Sequence, residues 1–258
     1  MTDTELKALL DERCHAYASS GFIETDPIQI PHLFTDASDI EVSGFLTATL
    51  AWGNRTSIIA SARKLMHLMD DSPARFARDA SPAELKRLSS FVYRTFNGTD
   101  AAVLVSALGK ILKEHGSLGA FVQQQYREKG DVKEVLAGLR SELVKNGLEG
   151  HTCKHVADVV SGSSAKRLNM FFRWMVRPCC YDVDFGLWTD IPTSALFLPL
   201  DVHSGTIARQ LGLLKRKQND WKAVEEVTGV LRTFDPVDPV RYDFALFGLG
   251  AFARKGEE

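Results

Sequence analysis

Apolar residues recur at intervals of three and four positions along almost the whole chain, and this spacing most constrains the fold. Leu6, Leu9, Leu10, Cys14 and Tyr17 form one such series near the N-terminus. Because an α-helix has about 3.6 residues per turn, this spacing gathers apolar side chains on one face, whereas a half-buried strand requires alternation. The sequence therefore predicts an all-α protein.

Helix start signals divide this pattern into separate helices. The segment SPAE at 81–84 forms a capping box with proline at the first helical position, Asp131 precedes Glu134 at the same spacing, and Asp238 with Pro239 opens the last helix. Each cap provides acceptors for backbone N–H groups that the first helical turn leaves unpaired. The predicted helices span residues 4–19, 38–52, 55–69, 81–95, 99–115, 117–127, 131–145, 152–160, 165–176, 202–211, 220–233 and 239–253, with a short one near 72–79.

The segment from Pro178 to Leu200 lacks helical periodicity. It has 23 residues, including three prolines and clustered aromatic side chains. Connections of this length in a compact domain usually carry function or short turns of their own. We therefore predict that this segment is a loop beside an active site.

The composition is that of an ordinary globular protein. With 258 residues, 45% of them apolar and 25% charged, the chain has enough apolar material for one large or two small cores. No stretch approaches the roughly 20 apolar residues that span a bilayer, and acidic residues near the N-terminus do not fit a targeting peptide. We therefore expect a cytoplasmic protein with no membrane partner. The formal net charge of −2 argues against a protein that coats nucleic acid, but it allows a local positive cleft.

The four cysteines give no sign of a metal or redox centre. Cys14, Cys153, Cys179 and Cys180 are too few for a disulfide scaffold, and they lack the CxxC spacing of zinc and iron–sulfur sites. We therefore predict ordinary loop or core thiols, no metal site and no cofactor.

Asp201 stands at the start of a helix, directly after the apolar segment LFLPL at 196–200. An aspartate in this position is a typical N-cap. The positive end of the helix dipole also keeps such a carboxylate ionised and fixed, which suits a catalytic role. The residues around Asp201 leave both interpretations open.

A longer match surrounds Asp201. The segment LPLDVHSGTIARQLGL at 198–213 resembles the helix that carries the catalytic aspartate in the helix-hairpin-helix (HhH-GPD) DNA glycosylases, and it matches at Asp201, His203, Arg209 and the closing LGL. Residues 219–252 are similar to the next two helices of that superfamily. The chain resembles still more closely an uncharacterised bacterial branch, a domain of unknown function. The resemblance implies a two-lobed all-α fold with a cleft between the lobes.

The resemblance extends upstream to a glycine-containing hairpin. Residues 159–169, VVSGSSAKRLN, are similar to a hairpin that binds a DNA phosphate, which implies that Gly162 and Ser164 contact DNA. Lys166 matches the catalytic lysine of bifunctional members, which attacks the sugar of the damaged nucleotide. The second hairpin glycine is replaced by serine, and 35 positions separate Lys166 from Asp201, as in the oxidised-guanine branches. A solvated surface lysine is the alternative.

The same resemblance implies further contacts with DNA. His203 is expected near a phosphate, and its alternative role is that of a helix-start histidine bonded to backbone. Asn54 and Arg55 match a wedge loop, in which a polar amide fills the gap left by a flipped nucleotide. As a plain sequence feature, WGN at 52–54 is a helix C-cap with glycine.

Aromatic residues are candidates for a base pocket. We place Trp52, Trp188 and Phe244 there, because bases stack on aromatic rings. Core packing is the alternative role for all three.

Taken together, the resemblance predicts a DNA base-excision repair glycosylase, with AP lyase activity if Lys166 is the nucleophile. It implies an oxidised purine such as 8-oxoguanine as substrate, double-stranded DNA with a damaged base as partner, and no iron–sulfur cluster. We predict lobes at 38–177 and at 1–37 plus 178–258, with Lys166 and Asp201 in the cleft. A non-catalytic nucleic-acid-binding relative and a helical scaffold or small-molecule-binding protein are the alternatives.

Overall fold

The computed structural model describes residues 1–178 and 183–253 and is predominantly helical, which confirms the all-α class. Cys179 and Cys180 lie outside the described residues. Within the described residues, no helix combines the length and apolar character needed to cross a membrane.

The α-helices are α1 (Asp3–Tyr17), α2 (Ala37–Leu50), α3 (Arg55–Leu68), α4 (Pro73–Asp79), α5 (Pro82–Arg87), α6 (Gly98–His115), α7 (Leu118–Lys129), α8 (Val132–Lys145), α9 (Lys166–Val176), α10 (Val202–Gln210), α11 (Trp221–Phe234) and α12 (Tyr242–Ala253). The short 3-10 helices are Ser20–Thr25, Pro27–Gln29, Pro31–Leu33, Leu88–Ser90, Gly150–His155, Thr193–Ala195 and Pro239–Arg241.

The predicted helix at 81–95 is wrong beyond Arg87. The capping box at Ser81 is present, but α5 ends after one and a half turns and leads into an antiparallel pair, β1 (Val92–Tyr93) and β2 (Phe96–Asn97). Burial alternates over residues 91–94, which is the pattern of a strand. Four residues are too few to separate this alternation from a helical period in the sequence.

The predicted helix at 152–160 is also wrong. A 3-10 helix covers Gly150–His155, and Val156 then adopts an extended backbone with φ of −110°. Asp158 competes with helix formation, because its side chain accepts hydrogen bonds from the N–H groups of Val160 and Ser161.

The described structure divides into two compact units. The central unit comprises Ile23–Ala157, and the terminal unit comprises Met1–Phe22 with Asp158–Glu258. Our predicted boundaries lay near residues 38 and 177, so that α9 fell into the first lobe. In the structure α9 belongs to the terminal unit, which therefore contains both Lys166 and Asp201.

The central unit is built around α2, whose residues 40–50 are all buried. Two carboxylates of α2 bind backbone amides in the first turns of neighbouring helices. Glu41 accepts a hydrogen bond from the Gly119 N–H of α7 at 3.0 Å, and Asp39 accepts one from the Ala74 N–H of α4 at 2.8 Å. An acidic side chain at a helix N-terminus satisfies unpaired amides and interacts favourably with the helix dipole. The half-buried Asp39 and the buried Glu41 of α2 therefore help to position α4 and α7.

The terminal unit packs α1 against α12 and α10 against α12. A Cβ atom on Gly248 of α12 would lie 1.9 Å from the Tyr17 ring of α1, so glycine is required at this crossing. Residues 168–176 of α9 are all buried. This helix therefore forms part of the core of the terminal unit.

In the described residues 183–200, the segment that precedes Asp201 is non-helical, as predicted, except for the 3-10 turn Thr193–Ala195. Backbone hydrogen bonds attach it to the end of α9, from Phe185 N–H to Trp174 O at 2.7 Å and from Trp188 N–H to Met175 O at 2.9 Å. The described part is therefore an ordered connection that delivers the chain to the start of α10.

Candidate functional site

Asp201 caps α10, as the sequence predicts. Its carboxylate Oδ1 accepts hydrogen bonds from the backbone N–H groups of His203 at 2.8 Å and Ser204 at 2.9 Å. The Asp201 N–H donates to the Ser204 hydroxyl at 2.9 Å, which completes a capping box. Among the described residues, no hydrogen bond reaches the second oxygen, Oδ2. The cap thus fixes the carboxylate and leaves one oxygen for another partner.

A polar chain behind Asp201 holds the start of α10. Asn219 Nδ2 donates to the Asp201 carbonyl oxygen at 3.0 Å, and Arg209 donates to Asn219 Oδ1 at 2.6 Å. A Cβ atom on Gly205 would come within 2.7 Å of the same Asn219 oxygen, so glycine permits this close approach. Arg209, one of the residues that match the family segment, therefore holds Asn219, which in turn binds the backbone of Asp201.

Lys166 is the first residue of α9, and its side chain is half-buried. Its Nζ atom lies 3.4 Å from Sδ of Met170, one turn further along the helix. The N-cap residue Ala165 has a left-handed backbone, with φ of 48°, and no side chain caps the helix. The first amides of α9 are thus uncapped beside the lysine, an arrangement that attracts anions.

The turn before α9 is organised by an aspartate. Asp158 Oδ1 accepts hydrogen bonds from the N–H groups of Val160 at 3.0 Å and Ser161 at 3.1 Å. Gly162 has φ of 88°, in the left-handed region that glycine tolerates, and its N–H donates to the Val159 carbonyl oxygen at 3.1 Å. The Gly162 amide is therefore used inside the turn.

Two further bonds fix this turn within the terminal unit. Asn169 of α9 is buried, and its Nδ2 donates to the Ser164 carbonyl oxygen at 3.1 Å. The Trp221 N–H, at the start of α11, donates to the Gly162 carbonyl oxygen at 2.9 Å. The turn and Lys166 are therefore anchored to both α9 and α11.

Asp243 of α12 links Lys166 and Asp201 electrostatically. Its side chain is 13% exposed and pairs with Arg173 of α9. Burial raises the pKa of Asp243 above its usual range, the positive charges of Arg173 and Lys166 act against this rise, and the negative charge of Asp201 adds to it. Lys166 and Asp201 therefore both lie within electrostatic range of the same buried carboxyl group.

Buried ion pairs hold the Arg173 side chain in place. Its guanidinium lies over the Phe244 ring, 4.5 Å from the centroid, and its Nε atom is 3.4 Å from Asp184 Oδ1. Arg177, one turn later, pairs with Asp184 and donates to Asp238 Oδ2 at 2.8 Å. Asp238, which we predicted as a helix cap, thus serves as an ion-pair partner instead. Buried charges are tolerated only when they are paired in this way.

The aromatic candidates of the terminal unit are core residues. Trp188 is fully buried, with its ring edge-on to Phe171 and Phe172 at 5.2 Å each. Phe244 is 1% exposed and lies beneath Arg173. Neither ring offers an open face in this structure, so the core alternative fits them better than the base pocket. His203 is exposed at the start of α10, where its N–H donates to Asp201.

Asn54 and Arg55 lie in the central unit, at the start of α3. Asn54 caps this helix, since its Oδ1 accepts the Ser57 N–H at 3.3 Å. The predicted C-cap at WGN is therefore wrong, because α2 already ends at Leu50 and Asn54 begins the next helix. Arg55 lies 3.5 Å from Asp26 in an ion pair.

Trp52 is half-buried in the central unit. Its ring stacks on His155, with centroids 5.7 Å apart and an angle of 21° between the planes, and it meets Tyr93 edge-on at 5.2 Å. The Trp52 carbonyl oxygen accepts a hydrogen bond from the Tyr93 hydroxyl. Trp52 is thus a packing partner of an imidazole in the structure.

Sequence reasoning missed Asp243 and Arg173. Each lies in an otherwise apolar helical segment, YDFALFGLG at 242–250 and NMFFRWMV at 169–176. A charged residue within such a run is a signal, because buried charges require a partner. The identity of that partner is not encoded locally, since 70 positions separate the two residues.

A family model described as Protein of unknown function (DUF2400) matches residues 26–252 of the chain. No curated protein and no solved structure matches it significantly. The match covers most of both units, including the turn before α9 and the start of α10.

Proposed function

The chain belongs to the DUF2400 family of proteins of unknown function, and we propose that it is a cytoplasmic DNA base-excision repair glycosylase with AP lyase activity. The observation that carries this proposal is the Asp201 carboxylate, which the helix cap holds by one oxygen only, in the same compact unit as Lys166. A lysine and an ionised aspartate at two helix starts are the groups that base excision through a covalent intermediate requires. The HhH-GPD resemblance of the segments around both residues supports the same chemistry.

The damaged base leaves the duplex before the reaction, because its glycosidic bond is inaccessible inside the stack. Lys166 Nζ, as a free amine, attacks C1′ of the sugar while the bond from C1′ to the base nitrogen breaks. The base leaves with that electron pair and takes up one of the two Nζ protons. The bond from C1′ to the ring oxygen O4′ then breaks, the second Nζ proton passes to O4′, and the nitrogen lone pair completes the C=N bond of a Schiff base between Lys166 and C1′. Hydride from borohydride reduces this Schiff base to a stable amine.

Asp201 stabilises positive charge on the sugar as the base departs. Its Oδ1 is held by the cap, and Oδ2 accepts no hydrogen bond from the described residues, so one oxygen is available to the substrate. The positive end of the α10 dipole favours negative charge at this position. If water replaces the lysine as nucleophile, Asp201 still supports a monofunctional reaction.

Asp243 and Arg173 position the charges of the site. Arg173 holds the Asp243 side chain, which is buried and interacts with both Lys166 and Asp201. Burial raises the pKa of Asp243, and carboxyl groups with shifted pKa values are common at functional sites. We therefore assign Asp243 a positioning role toward the charge of Lys166.

We propose an oxidised purine such as 8-oxoguanine, in double-stranded DNA, as the substrate. The support is the resemblance to the oxidised-guanine branches, which share the long separation between lysine and aspartate. The uncapped start of α9 beside Lys166 suits a DNA phosphate.

A non-catalytic relative that binds nucleic acid is the second candidate. The contact between Lys166 Nζ and Met170 Sδ favours it, because the amine then lies along its own helix.

Borohydride trapping on duplex DNA with single lesions tests the proposal. The variants are Lys166→Ala and Asp201→Asn, with Lys222→Ala as the control, since Lys222 is an exposed lysine of α11 in the same unit. We expect a covalent adduct for wild type and Lys222→Ala, and none for Lys166→Ala. Binding without an adduct or base release on any lesion would favour the non-catalytic relative. If the protein neither binds the DNA nor releases a base from it, both candidate functions are wrong.

A further inference from the structure

A second cluster of ionisable residues lies in the central unit, outside the site described above. Asp100 belongs to the first turn of α6, while His151 and His155 belong to the 3-10 helix Gly150–His155. His151 Nδ1 lies 3.0 Å from Asp100 Oδ1, and His155 Nε2 lies 3.4 Å from Asp100 Oδ2. One ligand-type atom from each residue lies within 4.8 Å of the others. We propose that Asp100, His151 and His155 bind one divalent transition-metal ion of the Zn²⁺ type.

The distances suit a single small ion. Zinc binds histidine nitrogen and carboxylate oxygen at about 2.0–2.2 Å with tetrahedral angles, which places two ligand atoms roughly 3.3 Å apart. Measured to the same oxygen, Asp100 Oδ2, the distances are 3.1 Å from His151 Nδ1 and 3.4 Å from His155 Nε2, and they bracket this value. The histidines also follow the H-x3-H spacing seen in zinc sites.

The chemistry of the donors selects the class of ion. Two imidazoles and one carboxylate suit zinc and its neighbours in the first transition series, whereas magnesium and calcium prefer oxygen ligands. Three protein ligands leave a fourth position for water or a substrate, which is the layout of catalytic rather than structural zinc.

Neighbouring groups orient the ligands. The Thr152 hydroxyl donates to Asp100 Oδ1 at 2.8 Å, and the Asn97 N–H donates to Asp100 Oδ2 at 2.9 Å. His155 is held between two rings, with Trp52 stacked at 5.7 Å and Phe96 edge-on at 4.8 Å. Such outer contacts fix the direction of metal ligands and are a regular part of metal sites.

Burial gives the cluster a closed side and an open side. The side chains of Asp100 and His155 are 2% and 5% exposed, whereas that of His151 is 46% exposed. An ion can therefore reach the site past His151 while the other two ligands remain in a dry environment. The cluster has no local signature in the sequence, because Asp100 lies 51 positions before His151.

The test uses the full chain after treatment with a chelator. Zn²⁺ is titrated by calorimetry, and Co²⁺ is added as a spectroscopic probe, since its visible d–d bands intensify when it becomes tetrahedral. The variants are His151→Ala, whose exposed side chain is expected to leave the fold intact, and Asp100→Asn. His67→Ala is the control, because His67 is an 84% exposed histidine of the same unit.

We expect wild type and His67→Ala to bind one equivalent of Zn²⁺, to give a tetrahedral Co²⁺ spectrum and to show a Zn²⁺-dependent rise in melting temperature. Loss of a ligand in His151→Ala should weaken binding by about 100-fold or more, the upper end of what an outer-contact substitution costs. Absence of saturable Zn²⁺ binding by wild type would overturn the proposal. Equal affinity in wild type and His151→Ala would overturn it as well, because the ion would then be bound elsewhere.

Discussion

Asp201 and Asp100 both belong to capping boxes at helix N-termini, yet their surroundings differ. Asp201 is half exposed, receives hydrogen bonds on one oxygen only, and interacts with the buried carboxyl group of Asp243. Asp100 is 1% exposed, and both of its oxygens receive hydrogen bonds, in part from Thr152 and the Asn97 N–H. A cap therefore places a carboxylate, and its chemistry depends on neighbours that are distant in sequence.

The two regions also balance charge in different ways. Buried guanidinium groups face carboxylates in the terminal unit, with Arg173 between Asp184 and Asp243. In the central cluster the partners of Asp100 are imidazoles, which are charged only when protonated. We infer that the ion-pair network tolerates the loss of a member less well than the histidine cluster does.

The largest effect is expected for Arg173→Met. The side chain is 4% exposed, and its removal leaves the buried carboxyl groups of Asp184 and Asp243 with one cation fewer. Breaking a buried ion pair typically costs about 3–5 kcal/mol, so the free energy of unfolding in urea should fall by that amount. Arg78→Met removes an exposed ion pair with Asp79 and should cost less than about 1 kcal/mol. Equal losses in the two variants would contradict the difference between buried and exposed pairs.

Asp201→Asn should separate the two roles of this residue. Asparagine is as good an N-cap as aspartate, so the melting temperature should change little. The loss of the negative charge should lower base release by about 100-fold or more on the lesion that gives the strongest trapping. Asp131→Asn, which alters the exposed cap of α8, is the matched control and should leave base release unchanged. Full base release by Asp201→Asn would show that Asp201 serves only as a helix N-cap and has no catalytic role.

In contrast to Asp201→Asn, Asp100→Asn should lower the stability of the protein and leave base release unchanged. An amide places N–H donors where Thr152 and the Asn97 N–H already donate, so the free energy of unfolding should fall by about 1–3 kcal/mol. Base release per folded molecule should stay at the wild-type level if the glycosylase site lies at Lys166 and Asp201. A loss of base release at full stability would show that the central cluster takes part in the reaction.

The smallest effects are expected in the titration of two carboxyl groups of the terminal unit. Asp220 should titrate at a pKa of about 2, because Arg216 donates hydrogen bonds to it, whereas burial raises the pKa of Asp243 above its usual range. The stabilising contribution of Asp220 is present above the unfolded-state value and is lost as the pH falls toward 2. That of Asp243 is present at low pH and is lost as the pH rises through its raised pKa. Carboxyl ¹³C NMR titration measures both, and the reverse order would contradict this electrostatic description.

Much of the fold follows from local sequence signals. The caps at Ser81, Asp131 and Asp201 lie where the sequence predicts them, because each joins a side chain to an amide two or three residues away. The hairpin at Val92 and the turn at Asp158 were missed, since short alternating or polar segments compete with a helical period over only a few residues.

The sequence alone determined the helical class, the capped helix starts at Ser81, Asp131 and Asp201, and the two residues, Lys166 and Asp201, on which the proposed chemistry rests. Only the tertiary structure paired Asp243 with Arg173 and gathered Asp100, His151 and His155 into one cluster. Periodicity and caps are properties of neighbouring residues and can be read along the chain. Burial and charge pairing join positions 51 or 70 residues apart, so they exist only once the helices have packed together.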